Sequence, residues 1–169
     1  RHGSRQIRFR YYLLDKNENE IRELDTITGG SVEMSSLTEL KRTAKFTMKE
    51  PEYEINWNSD RIQVYVEFKM PDGKWISFSL GIFLLTSPTR IEEGKSINRN
   101  VEAYDKLLVL KEDKVTDRFT IRAGTRYYDA MVNLIESSGE SKVNLENDNK
   151  VLPHDKEWDP GTDKLRILN

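Results

Sequence analysis

Apolar and polar residues alternate with a period of two along most of the chain, and this periodicity is densest between Arg61 and Leu110. Ile62, Val64, Val66 and Phe68 alternate with Gln63, Tyr65, Glu67 and Lys69, the pattern of a strand with one buried face. Pro71-Asp72-Gly73 supplies a turn, because proline presets φ and glycine permits positive φ. Ile76, Phe78, Leu80, Ile82 and Leu84 return on alternate positions, so the pattern predicts a long antiparallel hairpin with these five residues sharing a face. Ser87-Pro88 ends that strand, since proline cannot donate to a ladder. Arg90 to Glu92 restarts it, Glu93-Gly94-Lys95 turns, and Ile97, Val101 and Ala103 lie on the strand that follows. A meander of this length must close on itself or cover its edges, which predicts a small antiparallel barrel or a curled sheet.

Upstream, Ile7, Phe9, Tyr11 and Leu13 alternate with Arg8, Arg10, Tyr12 and Leu14 as a first strand. Asp15 to Glu20 is a polar turn. Ile21, Leu24 and Ile27 mark a weaker strand that Gly29-Gly30 is expected to break. The stretch from Ser31 to Leu40 admits a short helix around Met34 to Leu40. Lys41 to Met48 reads as a strand with Ala44, Phe46 and Met48 inward. In the connector after Pro51, the spacing of Tyr53, Ile55 and Trp57 suggests that part of it packs.

Asp105 to Leu110 fits either a helical turn or a last strand. The charged, aperiodic run Lys111 to Asp117 is a natural boundary. Beyond it, Phe119 to Ile121 is extended and Arg126 to Ser137 is helical. Tyr127, Ala130, Met131, Leu134 and Ile135 form the apolar stripe of that helix, Thr125 stands at the N-cap, and Gly139 at the C-terminal cap. Lys142 to Leu145 reads as a short strand. Trp158, Pro160 and Gly161 make a turn before the apolar Leu165, Ile167 and Leu168. The predicted organisation is therefore mainly β with a smaller α/β part. A cloning remnant at residues 1–4 precedes a small antiparallel β-barrel at 5–112, and the start of an α/β domain follows at 113–169. One helix and a few short strands do not close a core of their own size, so that domain is expected to continue beyond this chain.

Composition narrows the function classes. The 27 basic and 29 acidic residues leave a net charge of −2, which argues against binding nucleic acid through a broad basic patch. Absence of cysteine excludes disulfides and thiolate metal sites. No apolar run approaches the length of a membrane span.

Candidate chemistry is sparse. His2 lies in the remnant and His154 in a Pro/Asp loop, without a nucleophile motif to serve. Glu92-Glu93, Asp113 with Asp117, and Glu52 with Glu54 are paired carboxylates on polar turns, where solvated charge is the ordinary state. Gly29-Gly30 lacks the lysine of a phosphate loop. Neither Asp15–Glu20 nor Glu146–Lys150 has calcium-loop spacing. No catalytic residue, metal or cofactor is expected. Arg8, Arg10 and Tyr12 share a strand face opposite Phe9 and Tyr11. With Arg22 they could stack single-stranded nucleic acid, but a solvated face or a subunit contact fits the charge balance better. They are the candidate contact residues, along with the loops Asp15–Glu20 and Glu50–Asp60.

One resemblance brings these pieces together. Asp60-Arg61-Ile62 opens a strand; Leu80-Gly81-Ile82-Phe83 precedes Ser87-Pro88; and Val101-Glu102-Ala103-Tyr104-Asp105-Lys106-Leu107-Leu108 follows. Next comes Phe119 to Gly139, where glycine, threonine and tyrosine lead into a helix. Glu157-Trp158-Asp159-Pro160-Gly161 and Leu165-Arg166-Ile167-Leu168-Asn169 complete the series. In order and spacing the chain resembles the N-terminal part of phage and prophage tail hubs, including baseplate hubs and tail-associated lysins. That resemblance implies a non-enzymatic virion component made in the bacterial cytoplasm. In full length it would be a homotrimer joining the tail tube to distal tail parts and contacting neighbouring tail proteins. The first barrel would contribute to a pseudo-sixfold surface, without nucleic acid or a membrane span. Two alternatives stay open: a carbohydrate- or receptor-binding module using Trp57, Trp75 or Trp158, or the non-catalytic part of a tail-associated cell-wall lysin.

Overall fold

The structure is a computed structural model that describes residues 6–86, 88–94 and 96–169. Residues 1–4, expected to be a cloning remnant, Ser87 of the Ser87-Pro88 break and Lys95 of the turn lie outside the described residues. The chain forms two compact units that divide between Lys106 and Leu107, where the sequence pattern places the boundary at 112/113.

The first unit is an antiparallel sheet. Its strands are β1 (Ile7–Leu14), β2 (Glu20–Glu23), β3 (Ile27–Met34), β4 (Arg42–Lys49), β5 (Arg61–Lys69), β6 (Trp75–Leu85), β7 (Thr89–Glu93) and β8 (Ser96–Asp105). Spatial order is β2-β1-β5-β6-β8-β4-β3, with β7 alongside β8. The two ends of that order, β2 and β3, are consecutive in sequence and joined only by Leu24-Asp25-Thr26. A link of that reach, roughly 3.5 Å per residue, forces the sheet to curl until its ends approach. Leu24 N–H donates to the Tyr11 carbonyl at 2.7 Å, and Lys49 N–H donates to the Thr26 carbonyl at 2.9 Å. The link therefore stitches the β1 side to the β4 side. Among the described residues no ladder joins β2 to β3; the expected barrel is a curled sheet tied by its own chain.

The core lies inside the curl. Leu13, Phe46, Met48, Ile62, Val64, Phe83, Val101 and Ala103 are buried there, with Leu24 from the link and Ile55 from the Pro51–Asp60 connector. Phe46 packs edge-on against both Tyr11 and Phe83, with ring centroids 5.8 and 6.4 Å apart, the offset geometry aromatic quadrupoles favour. Tyr53 and Trp57 pack against this cluster from the connector, as their spacing suggested.

Three expectations need correction here. Ile76 to Leu84 do not share one face. Val64 pairs with Gly81 but Tyr65 with Ser79, so Leu80 is an extra residue on β6. Such a bulge flips the phase of everything beyond it, and Phe83 and Leu85 turn inward in place of Ile82 and Leu84. Gly29-Gly30 does not break a strand but lies within β3. A Cβ at Gly30 would stand 2.5 Å from the Lys45 carbonyl oxygen, so glycine is what lets β3 lie against β4. Finally, no helix forms at Met34–Leu40. Met34 ends β3, and bends carry the chain into β4, with Ser35 N–H donating to the Lys41 carbonyl at 2.9 Å.

The second unit contains α1 (Leu107–Glu112), β9 (Phe119–Ile121), α2 (Tyr127–Glu136), β10 (Lys156–Trp158) and α3 (Lys164–Leu168). The Asp105–Leu110 stretch thus resolves as the end of β8 followed by a helix. β9 and β10 pair antiparallel, with Phe119 opposite Trp158. Leu110, Val115, Leu134, Leu152 and Leu165 are its buried apolar residues. Arg126, not Thr125, occupies the N-cap of α2, and its side chain makes no cap bond; instead its guanidinium holds Asn147 and Asn149 at 2.6 and 3.2 Å. Lys142–Leu145 is irregular, not a strand. Trp158 belongs to β10, so the turn begins only at Pro160. Asp163 caps α3 by accepting from Arg166 N–H at 2.8 Å, the side-chain bond typical of that position.

Candidate functional site: the two faces of the β1–β5–β6 sheet

Three neighbouring strands carry the sequence-selected residues. β1 runs in full register beside β5, with Arg8 opposite Glu67, Arg10 opposite Tyr65 and Tyr12 opposite Gln63. Strand alternation places Arg8, Arg10 and Tyr12 together on the outer face.

That outer face is internally paired. The buried Glu67 carboxylate bonds Arg8 Nε and lies 4.0 Å from Arg10 Nη1. Arg10 also grips Glu23 of β2 with two bonds, at 2.7 and 2.5 Å. Hydrogen bonding to Arg10 holds the Glu23 carboxyl below its ordinary range, and the same bond raises the arginine. The Arg8 guanidinium lies 4.1 Å from the centre of the Trp75 ring, a cation–π contact. Tyr12 meets Tyr65 edge-on at 5.7 Å. These side chains form a ladder across β2, β1, β5 and β6 that stiffens the sheet, and their charge is largely spent within the chain.

Of the candidate loops, Asp15–Glu20 is a rigid turn. The Asp15 carboxylate accepts from Asn17 and Asn19 N–H at 2.8 and 2.9 Å. Glu18, at φ 62°, points its carboxylate to Arg61 at 3.0 Å and to Lys106. In the Glu50–Asp60 loop, Glu50 bonds Arg99 with its two oxygens, which lowers the Glu50 carboxyl below its ordinary range.

Neither the chemistry candidates nor the tryptophans converge. His154 is exposed, and among the described residues no cluster of acidic or histidine side chains could hold a metal ion. Asp113 is engaged by Lys164 at 2.5 Å. Each tryptophan ring has a protein neighbour: Arg99 at 5.7 Å from Trp57, Arg8 on Trp75, and Phe119 at 6.0 Å from Trp158.

The inner face carries a feature that periodicity alone did not reveal. Toward the hairpin tip it runs past the core. The rows Phe9–Val66–Phe78 and Ile7–Phe68–Ile76 cross β1, β5 and β6 in register, and Ile7, Phe9 and Phe78 are each 53% exposed. A slot of about 330 Å³ opens beside them, lined by Phe9, Tyr11, Gly30, Val32, Phe46 and Leu80 among others. The alternation of β1 marked these apolar side chains as core. The missing signal was sheet closure, which depends on strands distant in sequence.

No known family profile and no curated protein matches the chain. Solved structures do share its fold. A tail protein from Neisseria meningitidis MC58 superposes over 95% of this chain and 43% of its own, with TM-score 0.62 and 13% identity. A lidless PdpA–VgrG complex matches over 95% of this chain and 29% of its own, with TM-score 0.54 and 11% identity. A half-lidded Francisella PdpA–VgrG complex matches over 90% and 25%, with TM-score 0.53 and 11% identity. The chain therefore spans less than half the length of the structures it resembles.

Proposed function

We propose that this chain is a structural, non-enzymatic part of a phage tail or tail-like particle, placed at the tail tip as a hub and trimeric in its full-length form. The observation that carries this reading is the extent of the shared fold. Both units, not the sheet alone, fall within the 95% of the chain that superposes on the Neisseria tail protein. The two PdpA–VgrG complexes have the same fold, and the hub-like motif order of the sequence points the same way.

The physical design suits such a part. A hub transmits load between neighbours and needs a stiff frame more than a reactive pocket. The aromatic core, the internally paired outer ladder and the chain-tied curl provide stiffness. The uncovered apolar rows near the hairpin tip provide surface that assembly would bury. Three copies arranged around an axis would meet through unlike surfaces, closed by rotation.

The test is immunogold labelling of particles from the producing bacterium, using antibody to this chain. Label confined to one tail tip is the expected result. Label along the whole tube, or none on particles, overturns the hub placement. Light scattering of the full-length parent is expected to give the mass of three chains, and a monomer at every concentration removes the trimer. Incubation with purified cell wall is expected to leave it intact, whereas clearing would make this chain an enzyme.

A further inference from the structure

Among the described residues, backbone hydrogen-bond parity identifies two open edges in the first unit. Along β1, the Gln6 carbonyl accepts from Lys69 N–H at 3.0 Å on the β5 side, and the Tyr11 carbonyl accepts from Leu24 N–H at 2.7 Å on the opposite side. In antiparallel pairing successive residues address opposite neighbours, so the odd residues of β1 point their main chain away from β5. β2 covers that edge only at Tyr12–Leu14. The main-chain groups of Ile7 and Phe9 therefore face an open edge. Along β3, Ser35 N–H donates to the Lys41 carbonyl at 2.9 Å, which directs odd residues toward β4. Gly30, Val32 and Met34 then face the other open edge.

Both edges carry their apolar side chains on the inner face. Val32 lies opposite Ala44 and Gly30 opposite Phe46, whose side chains are inward, and Met34 is 60% exposed. The edges are thus complementary. In an antiparallel ladder with Phe9 opposite Val32 and Ile7 opposite Met34, both pairs are hydrogen-bonded and both place apolar side chains on the same side. That register brings Arg8 opposite Glu33 on the polar side. Sliding two residues one way sets Arg8 against Ser31. Sliding the other way runs Ile7 past Met34, the end of β3. Within one chain the two edges flank the 330 Å³ slot, and among the described residues no ladder joins them.

We propose that the β1 edge of one copy pairs with the β3 edge of a second copy in this register, extending the sheet from chain to chain. Uncovered apolar edges invite such pairing unless something blunts them; here face and hydrogen-bond parity fit the same partner, and the register adds the Glu33 carboxylate to the Arg8 guanidinium already shared with Glu67. The contact is head-to-tail, so it leaves one free edge of each kind and propagates until a ring closes. It does not rest on the tail reading; self-association and location in a particle are measured separately.

The chain has no cysteine, so introduced thiols report the contact cleanly. Arg8 and Glu33 form a non-hydrogen-bonded pair in this ladder, with Cα atoms about 4.5 Å apart, within the range a disulfide spans. Mixing the Arg8→Cys and Glu33→Cys variants under mild oxidation is expected to give the mixed dimer as the dominant product, with little from either variant alone. Equal cross-linking of a single variant with itself overturns the head-to-tail arrangement. Light scattering of the unmodified chain is expected to show mass rising with concentration, and a monomer up to millimolar concentration overturns the proposal outright. Val32→Pro removes an N–H that faces the open edge and donates no bond to β4. It is expected to abolish the rise in mass with the circular dichroism unchanged; an undiminished rise counts against this edge.

Discussion

Arg42 lies across Gly81. Its guanidinium donates to the Leu80 carbonyl at 3.1 Å, and a Cβ at Gly81 would stand 2.7 Å from its Nη1. Gly81 adopts φ +131° immediately beside the bulged Leu80, a conformation side chains rarely take. The Arg42 backbone N–H is in turn held at 2.7 Å by the buried Asp105 carboxylate. Leu80-Gly81-Ile82-Phe83 and Asp105 of the Val101–Leu108 segment, both selected from sequence, thus meet at one corner. There the sheet bends, and β6 changes which of its faces looks inward.

Gly81→Ala is expected to destabilise the protein by about 1–3 kcal/mol, the usual cost of a side chain in such a backbone conformation. Arg42→Ala alone is expected to cost about 1 kcal/mol for the lost hydrogen bond. Because Arg42 supplies the steric conflict, the double variant should cost less than the sum of the two. Urea titration of all four proteins checks this, and strict additivity would show that the clash is relieved some other way.

The two neighbouring glycines of β3 should behave differently. At Gly30 the obstacle to a Cβ is the backbone carbonyl of Lys45, whereas nothing lies within 4 Å of one at Gly29. Gly30→Ala is expected to cost about 1–3 kcal/mol, as overpacking does. Gly29→Ala should be neutral or slightly stabilising. Thermal melts of the two variants provide the comparison, and equal effects would contradict the close approach of β3 to β4.

Phe83 is fully buried and contacts Phe46 edge-on. Phe83→Ala is expected to cost about 3–5 kcal/mol through lost burial and the cavity left behind. Ile82→Ala, one residue away on the other side of the strand, should cost much less. Comparing their urea midpoints tests the phase flip at Leu80 directly, and the reverse order would restore the unbroken alternation of β6.

Acid should weaken the second unit through Asp113. The hydrogen bond from Lys164 holds the Asp113 carboxyl below its ordinary range. A folded-state value below the unfolded one means the unfolded chain binds the proton more readily. The stabilisation is therefore fully present above the ordinary carboxylate range, about pH 4, and is lost as pH falls through the depressed folded value. Asp113→Asn should lower stability at neutral pH and shrink the further loss on acidification. Melting both proteins at neutral and at strongly acidic pH checks the sign; an unchanged acid dependence would remove the Asp113–Lys164 pair from the account.

The sequence by itself determined the strongly periodic strands, because a half-buried strand writes its two-residue period locally. β1, the inward Ala44, Phe46 and Met48 of β4, the β5–β6 hairpin around Pro71-Asp72-Gly73 and the apolar stripe of α2 were all legible there. So was the grouping of Arg8, Arg10 and Tyr12 on one face. Only the tertiary structure decided the rest. A bulge is defined by the partner strand, so the inversion at Leu80 cannot be read from β6 alone. Gly29-Gly30 resembles a breaker until β4 lies against it. Arg10 and Glu67 look like solvated charge until Glu23, Arg8 and Trp75 are brought beside them. Ile7 and Phe9 carry the same pattern as Leu13, yet Leu13 is buried and they are not, because the curl closes over one end of β1 and leaves the other open. Alternation reports which side of a strand is apolar; what covers that side is set by residues far away in the chain.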